Sequence, residues 1–127
     1  MNETILLLES APPVRTVIRE ILERAGYVVL ATGDLGTAVD MIADCKPDLL
    51  ITDTYVAELT GHDAAQILQK RCAKLRVMIL AGLPDDQRID DLMVGQGFEL
   101  FPQPFGAREF LAKVREMLGE GKVRQAG

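Results

Sequence analysis

The 127-residue chain has no tryptophan, one histidine, two cysteines and only 5% aromatic residues. Cys45 and Cys72 stand alone without C-x-x-C spacing, so the sequence predicts small core cysteines in a reducing compartment, without a zinc site or a disulfide framework. A single histidine, His62, leaves no Ser-His-Asp set, and we expect His62 to be an exposed or capping residue. No G-x-G-x-x-G or G-x-x-x-x-G-K phosphate loop occurs in the sequence.

The chain also lacks an apolar run of membrane-spanning length and a basic-then-apolar signal at its N-terminus. We therefore expect a cytoplasmic protein without membrane contact. The formal net charge is −5, and this acidic excess argues against nucleic-acid binding because phosphate contact favours a basic surface. With 48% apolar and 26% charged residues, the composition is that of one globular domain with a hydrophobic core.

Apolar runs of strand length alternate along the chain with segments of helical period. The runs predict strands at Ile5–Leu8, Val28–Ala31, Leu49–Asp53, Val77–Ala81 and about Glu99–Phe101. Helical spacing of apolar residues predicts helices over Val14–Ala25, Leu35–Ile42, Ala64–Cys72, Ile89–Met93 and Phe110–Leu118. This alternation predicts an α/β fold, a doubly wound five-stranded parallel sheet in the order 2-1-3-4-5 with five helices. Residues 1–119 are expected to form the domain and residues 120–127 a flexible tail or linker.

Two acidic residues end predicted strands. Glu9 follows the first strand, and Asp53 ends the third, after which eight residues read as a loop that finishes at Gly61. Ligands of open parallel sheets gather at the carboxyl ends of the strands. Two carboxylates in one crevice need a proton or a cation between them, so a divalent metal site is one interpretation. The other is that each acid caps a helix or faces solvent.

Several motifs, in order, resemble the receiver domains of response regulators in two-component signalling. "ILLLESAPPVR" is similar to the family's acidic first strand and helix start, and "KPDLLITD" to its third strand, which ends in the phosphoacceptor aspartate. Gly61 has the family's spacing from Asp53, "RVMILAG" is similar to the fourth strand, and "PQPF" stands where the family has Lys-Pro-Phe. The resemblance covers residues 4 to about 118. It implies a receiver or flavodoxin-like fold, Asp53 as phosphoacceptor, and a phosphorelay protein that is not an enzyme.

The resemblance also implies a Mg²⁺ site, with departures that weaken it. Its ligands would be Glu9, Asp53 and the backbone carbonyl of Tyr55, while Ser10 replaces a carboxylate of the family. A neutral hydroxyl is a poorer ligand for a hard cation than a carboxylate. We therefore expect Mg²⁺ to bind weakly, and we assign no catalytic residue.

Three further positions depart from the family's switch and phosphate-binding residues. Ala81 stands in place of a threonine or serine, Gln103 in place of a lysine, and Leu100 in place of the switch aromatic. Since these changes remove charge and hydrogen bonds from the phosphoryl group, the sequence predicts impaired phosphorylation. The resemblance to the family also implies that the Gln103-Pro104 peptide bond is cis.

Three interpretations of function remain open at this stage. In the first, a sensor histidine kinase or phosphotransfer protein phosphorylates Asp53 and the domain regulates an output partner. In the second, the domain is a pseudo-receiver that binds partners without phosphorylation. The third, a flavodoxin-like cofactor binder, is disfavoured because "ESAPPV" lacks backbone donors for a phosphate loop. The resemblance assigns output contacts, and any homodimer, to the face of the fourth helix, fifth strand and fifth helix, which includes residues 85–91.

Overall fold

The structure, a computed structural model, describes residues 3–53, 55–56, 59–81, 98–102 and 106–119. Several predictions fall outside these residues. They concern the fourth helix at Ile89–Met93, the acidic stretch 85–91, Gln103 with its cis peptide bond, and the tail 120–127.

Five strands form one parallel sheet: β1 (Thr4–Leu8), β2 (Val28–Thr32), β3 (Leu49–Asp53), β6 (Arg76–Ala81) and β7 (Phe98–Pro102). Their order across the sheet is β2-β1-β3-β6-β7. The α/β class with a parallel sheet is thus confirmed. They run one or two residues beyond several of the predicted strands, because backbone pairing continues past the last apolar side chain.

Four helices occur in the described residues. They are α1 (Pro12–Arg24), α2 (Leu35–Cys45), α3 (Gly61–Arg71) and α4 (Ala107–Met117), of which α4 corresponds to the fifth predicted helix. Asp34 caps α2 by accepting the Thr37 N–H at 2.8 Å, and Thr60 caps α3 by accepting the Asp63 N–H at 3.0 Å. None of these helices is long and apolar enough to cross a membrane.

The sheet separates two hydrophobic layers. Ile18 and Leu22 of α1 pack with Phe110 and Val114 of α4 against one face, and all four are at most 2% exposed. On the other face the buried side chains of α2 and α3 pack against alternate residues of the strands, including Ala38, Ile42, Ala64, Leu68, Leu6, Leu50 and Ile79. Burial of both sheet faces explains why the strands are apolar at nearly every position.

A second, small sheet corrects the prediction of a plain loop after Asp53. β4 (Tyr55–Val56) and β5 (Leu59–Thr60) pair antiparallel, with Tyr55 opposite Thr60. Two-residue strands carry no readable hydrophobic period, so the sequence pattern gave no sign of this pairing. The ribbon leads directly from the end of β3 into the start of α3.

Candidate functional site

The strand register brings Glu9 and Asp53 to the same edge of the sheet. Leu8, the last residue of β1, pairs with Thr52 in β3, so Glu9 and Asp53 follow side by side. The two strands are parallel neighbours, and this edge is their carboxyl end. The two acids identified from the sequence therefore share one site, at the place where open α/β sheets bind ligands.

Glu9 is buried, with only 2% of its surface exposed. Besides its contact with Asp53, Glu9 makes three hydrogen bonds: its N–H donates to the Thr32 carbonyl at 2.9 Å, its carboxylate accepts the Ala11 N–H at 3.1 Å, and its carbonyl accepts from Arg15 at 2.7 Å. Both its backbone and its side chain are thus fixed, by Thr32 of β2, Arg15 of α1 and the N-cap residue of α1, Ala11.

The pKa of Glu9 is raised above its ordinary value. Burial is the largest cause, and the negative charge of Asp53 and a hydrogen bond with the Asp53 side chain raise this pKa further. The Ala11 N–H and, more weakly, the Arg15 charge oppose the shift. The two carboxyl groups therefore interact directly, and the arrangement favours a proton or a cation between them.

The backbone of Asp53 lies in close contact with Gly61, the first residue of α3. A β-carbon added at Gly61 would overlap the Asp53 carbonyl oxygen and lie 3.3 Å from the Thr52 methyl carbon. The Thr52 hydroxyl also donates to this carbonyl, at 3.2 Å. Only a residue without a side chain lets the start of α3 approach the end of β3 so closely.

The other predicted site residues lie at different distances from this edge. Ser10 is exposed and follows Glu9 directly, and Tyr55 lies in β4, two residues beyond Asp53. Ala81 ends β6 opposite Pro102, and its neighbour Leu80 pairs with Asp53, so Ala81 belongs to the same edge. Leu100 pairs with Ile79, farther back along the sheet. Gln103 lies outside the described residues.

The donor set suits a hard divalent cation held by few protein ligands. Glu9 and Asp53 supply carboxylate oxygens, and the predicted backbone ligand, the Tyr55 carbonyl, belongs to the strand that follows Asp53. No group of three or more His, Cys, Asp or Glu that could hold a metal occurs in the part of the chain that the structure describes. Mg²⁺ is commonly held by one or two carboxylates, with water and phosphate oxygens completing the shell, so these two acids fit it.

Two residues that support the acids were not identified from the sequence as functional. They are Arg15, near the start of α1, and Gly33, in the turn after β2. In the structure the Arg15 guanidinium bonds the Glu9 carbonyl, and a β-carbon at Gly33 would lie 2.6 Å from it. The "ESAPPVR" motif places Arg15 six residues after Glu9, whereas no sequence pattern marked Gly33.

One cleft of the described residues lies away from the acids. It has a volume of about 750 Å³ and opens at the amino edge of the sheet, among Glu3, Lys46, Asp48 and Arg76.

Comparison with families of known proteins identifies one match over most of the chain. The family model described as "Response regulator receiver domain" matches residues 5–115. Three curated relatives are PhoB, the phosphate regulon transcriptional regulatory protein of Pseudomonas aeruginosa; the response regulator MprA of Mycobacterium tuberculosis; and NtrC, a DNA-binding transcriptional regulator of Azospirillum brasilense. Their identities are 30%, 30% and 29%, over 93%, 99% and 91% of this chain. The chain spans about half of PhoB and MprA, 52% and 55%, and 24% of NtrC.

Solved structures agree on the fold. A response regulator receiver domain protein from Clostridium thermocellum superposes with a TM-score of 0.85 at 22% identity, over 95% of this chain and 98% of that one. NtrX from Brucella abortus superposes with a TM-score of 0.86 at 20% identity, over 99% of this chain and 29% of NtrX. At these identities the structural likeness supports the fold alone.

Proposed function

Because the chain belongs to the response regulator receiver domain family, we propose that Asp53 is its phosphoacceptor and that Glu9 and Asp53 form its cation site. The chain is a receiver domain of two-component signalling, as the sequence predicted. One observation carries the assignment of the site: the Asp53 carboxyl meets the buried Glu9 carboxyl at the carboxyl edge of the sheet. Receiver domains generally bind Mg²⁺ at their acidic pocket.

The proposed reaction is a phosphoryl transfer to Asp53. A carboxylate oxygen of Asp53 attacks the phosphorus of a phosphohistidine or of a small acyl phosphate. A new O–P bond forms, the donor's P–N or P–O bond breaks, and the leaving group keeps the electron pair. Glu9 and the backbone around it orient this acceptor. A divalent cation, when bound, neutralises charge on the phosphoryl oxygens.

This site stabilises phosphoryl charge less than a full set of receiver residues would. Ser10 and Ala81 stand where the family has a carboxylate and a hydroxyl, and Gln103 replaces a lysine. We infer that phosphorylation of Asp53 is slow and that Mg²⁺ binds weakly, since each missing group acts on the same developing charge.

The domain's role is that of a regulator, not of a classical enzyme. We propose that a sensor histidine kinase or a phosphotransfer protein supplies the phosphoryl group, in the cytoplasm. The names of PhoB and NtrC describe transcriptional regulators, and both are longer than this chain. We further propose that the receiver domain comprises residues 1–119 and that its output or self-association face is formed by 85–91, β7 and α4.

The experiment is intact-mass measurement after incubation with acetyl phosphate and Mg²⁺. We expect a slow gain of one phosphoryl group in the wild type and none in Asp53→Asn. A phosphoryl gain that persists in Asp53→Asn would disprove the assignment of Asp53. Rapid, complete phosphorylation of the wild type would disprove the impaired pocket. No gain over many hours would favour regulation by unphosphorylated contacts.

A further inference from the structure

We propose that Arg15 is a positioning residue of the acidic site, and that Gly33 is a glycine because it leaves room for the Arg15 guanidinium. Arg15 lies in the first turns of α1 and reaches back to the end of β1, where Nη1 donates to the Glu9 carbonyl at 2.7 Å. Through this carbonyl it fixes the turn that carries Glu9 and Ser10. The inference rests on the proposed cation site at Glu9 and Asp53.

The turn between β1 and α1 has no side-chain cap of its own. Ala11 is the N-cap of α1 and has no side-chain acceptor for the helix N–H groups. Pro12 and Pro13 follow it and have no N–H to donate. A usual capping serine or aspartate would have fixed this turn locally. Here the guanidinium, which donates from a rigid planar fork, supplies the missing constraint.

Gly33 forms the other wall of the space that the guanidinium occupies. A β-carbon there would lie 2.6 Å from Arg15 Nη1, 3.1 Å from the Glu9 carbonyl oxygen and 3.3 Å from Ser10 Cα. Gly33 is not among the residues with positive φ, so its backbone conformation admits alanine, and the added methyl would push the Arg15 guanidinium away and crowd the Glu9 carbonyl. The turn after β2 thus packs directly on the Arg15–Glu9 hydrogen bond.

The same contact connects to the carboxylate of Glu9. The Ala11 N–H donates to the Glu9 carboxylate at 3.1 Å, and Arg15 donates to the Glu9 carbonyl, two residues before Ala11 in the chain. If the turn moves, the Ala11 N–H and the carboxylate move with it. A positive charge at position 15 is therefore not sufficient, because the turn is held by the hydrogen bond from the guanidinium to the Glu9 carbonyl.

The test uses Arg15→Gln, Arg15→Lys, Gly33→Ala and the double variant Arg15→Gln/Gly33→Ala. Arg24→Gln is the matched control, since Arg24 is an exposed arginine on the same helix. Two quantities are measured by NMR at constant pH: the Mg²⁺ dissociation constant, and the shift and exchange rate of the Ala11 amide proton without Mg²⁺. The free energy of unfolding is measured in parallel.

We expect Arg15→Gln and Gly33→Ala each to weaken Mg²⁺ binding about tenfold, the usual effect of losing a partner that orients a metal ligand. The double variant should be no weaker than either single variant, because both changes break one contact. Arg15→Lys should resemble Arg15→Gln, and Arg24→Gln should bind as the wild type does. Each binding-deficient variant should also expose the Ala11 amide to faster exchange.

Three results would overturn the proposal. Additive effects in the double variant would mean that Gly33 and Arg15 act separately. Full Mg²⁺ affinity in Arg15→Lys would show that charge, not position, matters. An unchanged Ala11 amide in Arg15→Gln would show that Arg15 does not hold the turn. The Ala11 measurement needs no cation, so it separates failure of this inference from failure of the proposed site to bind Mg²⁺ or accept a phosphoryl group.

Discussion

The close approach of Gly61 to Asp53 predicts that Gly61→Ala disturbs both stability and the acidic site. The added methyl would overlap the Asp53 carbonyl oxygen, which is a backbone atom at the end of the central strand β3. Rotation of a side chain cannot relieve this overlap, because the overlapped atom is a backbone oxygen. The end of β3 and the start of α3 must therefore separate, and the Asp53 carboxylate moves with its backbone.

The expected cost follows from that geometry. Overpacking of a tightly packed site costs about 1–3 kcal/mol, and the gain from replacing a flexible glycine recovers only about 0.4–1 kcal/mol. For a domain of this length, about 1 kcal/mol corresponds to roughly 4 °C in Tm. The net cost is therefore at most about 2.6 kcal/mol, so we expect Gly61→Ala to lower Tm by up to roughly 10 °C and to weaken Mg²⁺ binding at the same time.

Gly106→Ala is the matched control. Gly106 precedes α4, as Gly61 begins α3, but a methyl there would meet only the flexible end of Glu109, at 2.6 Å. Thermal unfolding should place this variant within about 1 kcal/mol of the wild type. If Gly61→Ala were equally well tolerated and bound Mg²⁺ normally, the contact with Asp53 would not constrain the site, and the reasoning would be refuted.

Two further predictions concern the charges of the pocket. The raised pKa of Glu9 means that its contribution to stability is complete below its ordinary pKa, near 4.5, and is lost as pH rises through the raised value. Denaturant titrations from pH 4 to 8 should therefore show Glu9→Gln gaining stability over the wild type as pH rises; parallel curves would contradict this. The triple change Ser10→Asp, Ala81→Thr and Gln103→Lys should raise the phosphorylated fraction in intact-mass spectra, and adding Asp53→Asn should abolish the gain. Gains that simply add would argue against a shared phosphoryl site.

The proximity of the two acids was predictable from the sequence, because it depends only on where each acid lies along its strand. Glu9 and Asp53 end two apolar runs, and parallel pairing of those runs suffices to bring their carboxyl groups to one edge. The interaction between them is therefore a consequence of topology. The assignment of phosphoacceptor and cation ligands depends on the family resemblance and stays a prediction.

The supporting residues were not predictable, because their roles depend on contacts between distant segments. Arg15 and Gly33 meet only after α1 and the turn behind β2 have packed at the end of β1. Gly61 matched a family spacing, but its physical reason is a backbone contact that no sequence pattern expresses. The β4–β5 ribbon is likewise too short to show a period.

The sequence by itself determined the class of fold and the edge at which chemistry can occur. Uninterrupted apolar strands, separated by amphipathic helices, can bury both faces only in a parallel, doubly covered sheet. The tertiary structure alone decided how firmly the two acids are held. That depends on the burial of Glu9, on its bond with Arg15, and on the glycines that let three chain segments approach within contact distance. Such contacts depend on ångström-scale distances between residues far apart in the chain, and hydrophobic periodicity carries no record of those distances.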